Sequence, residues 1–283
     1  MATALLTGAG DVQAQAQKDN ADVNPTPKAV PDPAAATPRP MPRVEGYLGK
    51  ARIPNSIAIL PPPPVKGSTL DNLDNETYAK TRALAGSDRW KLATRDATQY
   101  VQAFDCPLGL KLEDGPKEVA VLFSRVARDA SAITNLAKDH FNHPRPFIAP
   151  NGSVCTEGDR AGLMKSYSYP SGHTTYSWAM GLILAEMVPD HATEILARAR
   201  AFGESRVVCG VHTVSDIEEG RTNGSTLVAV LHSDPVFRAD LETAAKALKA
   251  AMAAPHAAPE AGQCKIEKDA EDHTPWINPT GVK

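Results

Sequence analysis

The second half of the chain holds two residues that could carry out nucleophilic chemistry together. His212 and Asp216 lie four residues apart, so within a helical turn the aspartate can accept the proton of one imidazole nitrogen. That contact would fix the tautomer of His212 and leave its other nitrogen free to act as a nucleophile. Taken alone, the pair is more typical of an ordinary helical contact between histidine and aspartate.

A short motif, Pro170-Ser171-Gly172-His173, supplies a second group of candidate residues. Ser171 can cap a helix, and the first free amides of a helix form a binding site for anions. Gly172 has no Cβ and lets the backbone approach such an anion closely, while His173 can donate a proton there. On its own, the motif more often marks a capped helix followed by an exposed histidine.

Three cationic side chains complete the set. Lys138 and Arg145 are seven residues apart, or two helical turns, so both are predicted to face one side of a helix that ends near Pro146. Arg206 precedes His212 by six residues. Together with backbone donors, three cations match the three equatorial oxygens of a phosphoryl group in transfer. No second cluster of carboxylates, or of cysteine and histidine, suggests a metal, so neither a metal nor another cofactor is expected.

The three motifs gain their specificity from occurring together. Eleven fixed residues occur in order, each set with fixed internal spacing, and at about 5% usage per residue chance does not supply such a combination. They resemble the tripartite signature of the type 2 phosphatidic-acid phosphatase superfamily, which reads KxxxxxxRP, PSGH and SRxxxxxHxxxD.

Outside the motifs, the sequence is similar to the class A nonspecific bacterial acid phosphatases over residues 46–253. The matching segments are residues 46–48, 60–64, 89–90, 145–147, 168–174 and 203–212. The resemblance implies a metal-independent acid phosphatase that hydrolyses phosphate monoesters with broad specificity through a phosphohistidine, and that can also transfer phosphate to alcohols. It further implies small phosphate monoesters as substrates, inorganic phosphate as product inhibitor, and assembly into a homo-oligomer.

The resemblance also assigns roles to the candidate residues. It implies that His212 is the nucleophile, that Asp216 orients it, and that His173 acts first as general acid and then as general base. The implied phosphate-binding residues are Lys138, Arg145, Ser171, Gly172 and Arg206. Since His212 must be neutral and His173 protonated, activity is expected at mildly acidic pH. The anionic substrate and the three cations are expected to support the protonated form of His173.

Two positions beside the motifs depart from the family pattern. Tyr167 stands where the family has glycine, and Thr213 follows His212 where an aromatic residue is expected. Both are predicted to alter the shape of the pocket, which puts substrate preference in doubt and not the reaction. Two further histidines near the first motif, His140 and His143, are expected at the surface rather than in the pocket.

Other functions are compatible with parts of this pattern. A vanadium-dependent haloperoxidase is the main alternative, because that family resembles this one in the same site and would hold vanadate at His212. A lipid phosphatase is disfavoured, because such relatives carry the site on membrane helices. The longest apolar run here, from Trp178 to Ala185, is far shorter than the ~20 residues that span a bilayer. A non-catalytic module that displays its proline-rich segment, which includes the four prolines of residues 61–64, is disfavoured, because such a module would not need the complete motifs.

The charge balance bears on partners, and the four cysteines bear on the compartment. With 30 Lys and Arg against 33 Asp and Glu, a nucleic acid is not an expected partner. Four cysteines fit two disulfides in an exported protein, and they fit four buried thiols in a cytosolic one equally well. The N-terminus resembles part of a secretory signal, with a disordered tail as the alternative, and we predict a periplasmic or secreted protein. Four cysteines allow three pairings, and of these we predict Cys106–Cys155 and Cys209–Cys264.

The elements that must position these motifs are predicted to be helices. Apolar residues recur every three or four positions and no stretch alternates with period two, which predicts an all-α fold with one compact helical bundle domain over residues 46–253. The predicted helices cover residues 71–84, 88–104, 117–141, 171–188, 190–206, 216–232 and 236–252. Residues 1–16 are predicted to be a truncated signal peptide, 17–45 a disordered Pro/Ala-rich linker, and 254–283 an irregular C-terminal tail.

Overall fold

Helices and the turns that join them make up all of the chain that the computed structural model describes, which is residues 44–149 and 152–272. No β-strand occurs in these two ranges, so the predicted all-α fold is confirmed. Apart from residues 44 and 45, the predicted signal peptide and linker lie outside the described residues.

The described helices vary widely in length. The α-helices are α1 (Gly49–Arg52), α2 (Ser56–Ile59), α3 (Thr69–Thr81), α4 (Asp88–Arg95), α5 (Asp105–Leu108), α6 (Lys117–Phe141), α7 (Arg160–Leu163), α8 (Gly172–Met187), α9 (Ala192–Val208), α10 (Val214–Leu231), α11 (Pro235–Ala253) and α12 (Ala261–Asp272). Short 3₁₀-helices occur at Arg82–Leu84, Gln102–Phe104, Leu112–Asp114, Glu157–Asp159 and Pro189–His191.

The long helices lie close to their predicted bounds, and side-chain contacts explain two of the differences. α6 has the bounds that its apolar period predicts, and it ends before Pro146, the end predicted from the first motif. α3 begins earlier than predicted, because the hydroxyl of Ser68 accepts from the Asp71 amide at 3.2 Å and caps the helix there. α4 ends at Arg95 rather than near residue 104, and the next residue, Asp96, binds the buried Arg198 guanidinium at 2.5 Å.

α8 is the central helix of the described part of the chain. Its buried residues are spread around most of its circumference, and it contacts α6, α9, α10 and α11, as expected of a helix in the middle of a core. The largest apolar side chains around it include Phe104, Phe123, Ile133, Phe202, Leu227 and Phe237. None of the described helices combines the length and the apolar character needed to cross a membrane.

Two glycines on α10 let this helix approach α8 closely. A Cβ at Gly220 would lie 2.8 Å from the Ser171 carbonyl oxygen, and a Cβ at Gly224 would lie 2.7 Å from that of Thr175. Side-chain carbons do not pack so near to backbone oxygens, so this helix spacing requires glycine at both positions. The close approach places the Ser171 amide 2.9 Å from the Asp216 carbonyl oxygen, to which it donates. The N-termini of α8 and α10 are thereby joined.

The C-terminal segment differs from the predicted irregular tail, because α12 forms within it. α12 packs on α4 and α9, and residues beyond 272 lie outside the described ranges. Its Glu267 accepts from the guanidinium of Arg198 at 3.1 Å, and Arg198 also binds Asp96. All three side chains are buried, and burial of charge is tolerated when the charges are paired in this way. The polar composition of the segment therefore does not indicate an irregular tail, because one of its charged residues belongs to a buried ion network.

Two disulfides join Cys106 to Cys264 and Cys155 to Cys209, so the predicted pairing is wrong. The reason is the fold of α12, which returns to the bundle and brings Cys264 to a Cα–Cα distance of 5.4 Å from Cys106. Cys155 lies beside the end of α9, where its amide donates to the Cys209 carbonyl oxygen at 2.9 Å. Two disulfides are typical of proteins that fold in an oxidising compartment.

The disulfide between Cys106 and Cys264 is expected to stabilise the fold by attaching α12 to the bundle. Replacing both cysteines by serine should lower the free energy of unfolding by about 2–4 kcal/mol, because the unfolded chain loses a long closed loop. Denaturant unfolding measures this loss, and peptide mapping without reductant identifies the linked cysteines. A peptide that joins Cys106 to Cys155 would contradict the structure.

Candidate active site

The first turn of α10 fixes the carboxylate of Asp216. Thr213 is the N-cap of the helix, and its hydroxyl accepts from the Asp216 amide at 3.2 Å. The Asp216 carboxylate accepts in turn from the Thr213 amide at 2.9 Å, which completes a capping box. Asp216 is fully buried, with 0% of its surface exposed. Local hydrogen bonding at a helix end therefore determines where this charge lies.

His212 lies directly before this turn, and its imidazole contacts the carboxylate of Asp216. Its Nδ1 is 3.1 Å from Oδ2 of Asp216, and since a carboxylate accepts, Nδ1 carries the proton that is donated. The lone pair of the neutral ring is then on Nε2, which lies 3.2 Å from Nη1 of Arg145. The contact predicted from the spacing is present, although His212 precedes α10 instead of lying within it.

Ser168 and His143 also lie beside Asp216. Oγ of Ser168 is 3.3 Å from Oδ1 of Asp216, and Nδ1 of His143 is 4.0 Å from the same oxygen. The prediction that His143 lies at the surface is therefore wrong, since it is half-buried against the site, whereas His140 is exposed as predicted. Burial raises the pKa of Asp216, and the hydrogen bond from the Thr213 amide opposes this increase.

The N-terminus of α8 places Ser171 and Gly172 at the site. Ser171 is the N-cap, as predicted, and its Oγ accepts from the Thr174 amide at 3.3 Å. A Cβ on Gly172 would have one neighbour within 4 Å, a methyl carbon of Thr134 at 3.4 Å. The glycine therefore leaves space in the cavity that it lines. The free amides at the start of a helix as long as α8 favour an anion in this position.

Lys138 and Arg145 approach the site from different elements, so the prediction that both lie on one helix face is wrong. α6 ends before Asn142, whose left-handed φ of 51° turns the chain, and Arg145 lies in the segment that follows. Nζ of Lys138 donates to the carbonyl oxygens of Tyr167 and Ser168, the latter at 3.0 Å. The segment before α8 therefore holds the Lys138 ammonium group in place.

The two arginines of the site differ in how their guanidinium groups are satisfied. Nη1 of Arg145 donates to the Val211 carbonyl oxygen at 2.8 Å, and its Nη2 donates to Oγ of Ser166 at 3.0 Å. Arg206, in the last turn of α9, is 2% exposed, and among the described residues its Nε and Nη1 have no hydrogen-bond partner. Buried donors without acceptors are costly, and an anion in the cavity beside Arg206 would satisfy them.

Burial lowers the pKa of all three cations. Burial, followed by repulsion from Arg145, lowers the pKa of Lys138 to about 7. Burial lowers the pKa of Arg145 to about 10 and also lowers that of Arg206. A bound phosphate would favour the charged forms again, because a nearby opposite charge stabilises them.

His173 lies in the first turn of α8, where its Nε2 is 2.5 Å from Oη of Tyr100. Burial lowers the pKa of His173 well below its usual value, and Arg206 lowers it further. Arg145 and Lys138 act in the same direction. The expectation that the three cations support protonated His173 is therefore wrong, because like charges oppose it. An anionic substrate bound beside the ring would favour its protonated form.

Two cavities lie on either side of His173 and Tyr100. One, of about 380 Å³, is also lined by Lys138 and Gly172, and the other, of about 430 Å³, is also lined by Arg206. Direct contacts and these cavities bring together all eight predicted site residues, which are Lys138, Arg145, Ser171, Gly172, His173, Arg206, His212 and Asp216. Within the described ranges, no group of three or more His, Cys, Asp or Glu side chains is placed to hold a metal ion.

No sequence motif marks Tyr100, which lies 73 residues before its contact His173. This contact depends on how the segment that follows α4 lies against the start of α8, and periodicity does not report it. Ser168 carries a weak signal, because it begins the segment that resembles the phosphatase family. Its hydroxyl contact with Asp216 still becomes apparent only when α8 and α10 are placed side by side.

The two departures from the family pattern have different structural roles. Tyr167 supplies a backbone carbonyl to Lys138 while 40% of its surface is exposed. Thr213 is the N-cap of α10 and binds Asp216. The hydroxyl of Thr213 therefore positions the carboxylate of the site, which a residue that only shapes the pocket would not do.

Comparison with known proteins shows the family to which the chain belongs. Residues 118–239, which include all eight site residues, match the model of the PAP2 superfamily. The chain is similar to an acid phosphatase of Zymomonas mobilis subsp. mobilis, with 44% identity over 75% of this chain and 81% of the relative. It is also similar to non-specific acid phosphatases of Providencia stuartii and Salmonella typhimurium, each 37% identical. These alignments cover 70% and 66% of this chain and 82% and 77% of the relatives. The chain therefore belongs to the PAP2 superfamily, among its acid phosphatases.

Proposed function

We propose that this acid phosphatase hydrolyses small phosphate monoesters through a covalent phosphohistidine on His212. The observation that carries the proposal is the 3.1 Å contact between Nδ1 of His212 and Asp216. It leaves the lone pair of Nε2 beside a cluster of buried cations. Burial lowers the pKa of His212 well below its usual value, so the nucleophile stays neutral in mildly acidic solution.

In the first step, Nε2 of His212 attacks phosphorus. A P–N bond forms while the P–O bond to the leaving group breaks, and the electron pair of that bond goes to the leaving oxygen, which takes a proton from His173. Lys138, Arg145 and Arg206 stabilise the charge on the equatorial oxygens. The unpartnered Nε and Nη1 of Arg206 support this role, because a phosphate oxygen would give them an acceptor.

In the second step, water attacks the phosphohistidine and His173 accepts a proton from it. The P–N bond breaks, its electron pair returns to Nε2 of His212, and inorganic phosphate is released. Because phosphate binds to the same cations as the substrate, it is expected to inhibit competitively. An alcohol in place of water would yield a new phosphate ester, so the same site supports phosphotransfer.

Broad specificity follows from which part of the substrate the site binds. The cations and helix amides of the site bind the phosphate group, which all monoesters share. Apart from Lys138 and His173, the residues lining the cavity beside α6 are uncharged, so within this cavity no charge complementarity selects one leaving group. This supports a preference for phosphate monoesters as a class over any single substrate.

The proposal extends to location and assembly. The two disulfides support a periplasmic or secreted enzyme, because disulfides persist in such oxidising surroundings. A homo-oligomer is proposed on the resemblance to the phosphatase family, and analytical ultracentrifugation would determine the oligomeric state. The predicted signal peptide lies outside the described residues.

Hydrolysis of an aryl phosphate in excess chelator tests the mechanism. The wild-type activity should peak below neutral pH and survive chelation. His212→Ala should lower kcat by at least about a thousandfold, because the nucleophile is lost. A rapid alkaline quench of enzyme mixed with ³²P-labelled substrate should trap an acid-labile phosphoenzyme in the wild type and none in the variant.

His140→Ala is the matched control, because His140 is exposed, and it should retain wild-type activity and labelling. Loss of activity in chelator, or a labelled His212→Ala variant, would contradict the proposal. The same preparation with vanadate, peroxide and bromide tests for haloperoxidase activity, and no oxidation of bromide is expected.

The alkaline limit of activity is expected to report on Lys138. Its pKa is lowered to about 7 in the free protein, so the charged form that binds phosphate is present below this pH and is lost above it. The wild-type kcat/KM should therefore fall more steeply above about pH 7, beyond the decline that deprotonation of His173 causes at lower pH. Lys138→Arg keeps its charge there, so this additional fall should move to higher pH even though the maximal rate of the variant is lower. Identical alkaline limbs for both proteins on the same substrate would exclude this assignment.

A further inference from the structure

The turn that follows α4 holds His173 through one of its two nitrogens. This turn presents the Ala97 carbonyl oxygen at 3.2 Å and Oη of Tyr100 at 2.5 Å, both to Nε2 of His173. The ring of Tyr100 also stacks on the imidazole, with 4.9 Å between centroids and 28° between planes. Both polar contacts are made to Nε2, so the two ring nitrogens of His173 have different hydrogen-bonding surroundings.

The chemistry of these partners determines which nitrogen carries the proton. A carbonyl oxygen only accepts hydrogen bonds, so the contact with Ala97 places a proton on Nε2. Burial raises the pKa of Tyr100, so its phenol is neutral, and a neutral hydroxyl can accept from the same N–H group. Nε2 of His173 therefore keeps its proton in both the neutral and the charged ring, and Nδ1 is the nitrogen that gains and loses one.

We propose that Tyr100 is a positioning residue that, together with the Ala97 carbonyl, keeps a proton on Nε2 of His173 and thereby assigns general acid–base chemistry to Nδ1. This inference rests on the phosphohistidine mechanism proposed above. When the P–O bond breaks, its electron pair stays on the leaving oxygen, and the proton moves there from Nδ1. During hydrolysis of the intermediate, the Nδ1 lone pair takes a proton from the attacking water.

The electrostatics of the site explain why His173 benefits from such a partner. Burial and the three cations Arg206, Arg145 and Lys138 all disfavour the protonated ring, while the contact with Ala97 favours it. An acceptor for the Nε2 proton acts against the cations, because a hydrogen bond to the charged form stabilises that form. Tyr100 supplies a second acceptor without adding a charge that would compete with phosphate for the cations.

Tyr176 provides a matched comparison within the same cavity. Its ring centroid is 5.6 Å from that of Tyr100, and both residues line the cavity beside α6. Its hydroxyl donates to the Phe123 carbonyl oxygen at 3.3 Å instead of approaching His173. Removing either hydroxyl therefore makes a similar change to the cavity, but only one of the two changes touches His173.

The kinetic test compares Tyr100→Phe with Tyr176→Phe on two substrates. The leaving phenolate of 4-nitrophenyl phosphate needs little protonation, whereas the alkoxide released from glycerol phosphate must be protonated. Tyr100→Phe should lower kcat/KM, which reports the step that expels the leaving group, by about tenfold or more on glycerol phosphate, and should change kcat/KM on the aryl ester by less than about threefold. Tyr176→Phe should change both by less than about threefold. Equal losses on both substrates for Tyr100→Phe would overturn the proposal, since a purely structural contact affects both alike.

A measurement without substrate separates this inference from the mechanism on which it rests. Histidine ring ¹⁵N shifts of the free full-length protein, assigned with His173→Ala, report which nitrogen is protonated. The wild type should show His173 protonated at Nε2 and unprotonated at Nδ1, and Tyr100→Phe should increase the share of the other tautomer. A wild-type ring protonated at Nδ1, or an unchanged ring in Tyr100→Phe, would overturn the proposal even in an active enzyme. The expected tautomer in a protein that hydrolyses neither substrate would refute the proposed function instead.

Discussion

The buried carboxylate of Asp216 is the constraint on which the rest of the site depends. It accepts from the Thr213 amide in the first turn of α10 and contacts Nδ1 of His212. The backbone carbonyl of the same residue accepts from the Ser171 amide at the start of α8. A buried carboxylate is tolerated only with such donors in place, so the fold of this turn and the tautomer of His212 are not independent.

The site gathers positive charge at a place where the fold supplies little negative charge. The contacts of Lys138 and Arg145 are mainly with neutral carbonyl and hydroxyl groups, and two nitrogens of Arg206 lack partners among the described residues. Such an arrangement costs stability in the free protein, because hydrogen bonds to neutral groups offset only part of the desolvation of a cation. The proposed binding of an anion would make this arrangement favourable.

The sequence predicted those parts of the structure that depend on local pattern. The bounds of α6 follow from one uninterrupted apolar period, and Ser171 is a cap that its own neighbours reveal. Arg145 was misplaced because helical spacing was extended across Asn142, where the chain turns. The contact of His143 with the site and the disulfide partner of Cys264 depend on long-range packing, and no local pattern reports which distant elements meet.

Asp96 links the end of the described chain to the proposed phosphate-binding region. Its carboxylate accepts from Oγ of Ser205 at 2.6 Å, next to Arg206 in the chain, and it also binds Arg198, whose other partner is Glu267 on α12. During translation, Glu267 leaves the ribosome after every motif of the site. A nascent chain therefore lacks the third member of this charge network until α12 has been made. The surroundings of Arg206 reach their final form only once α12 has packed, so maturation of the site depends on the segment that carries Glu267.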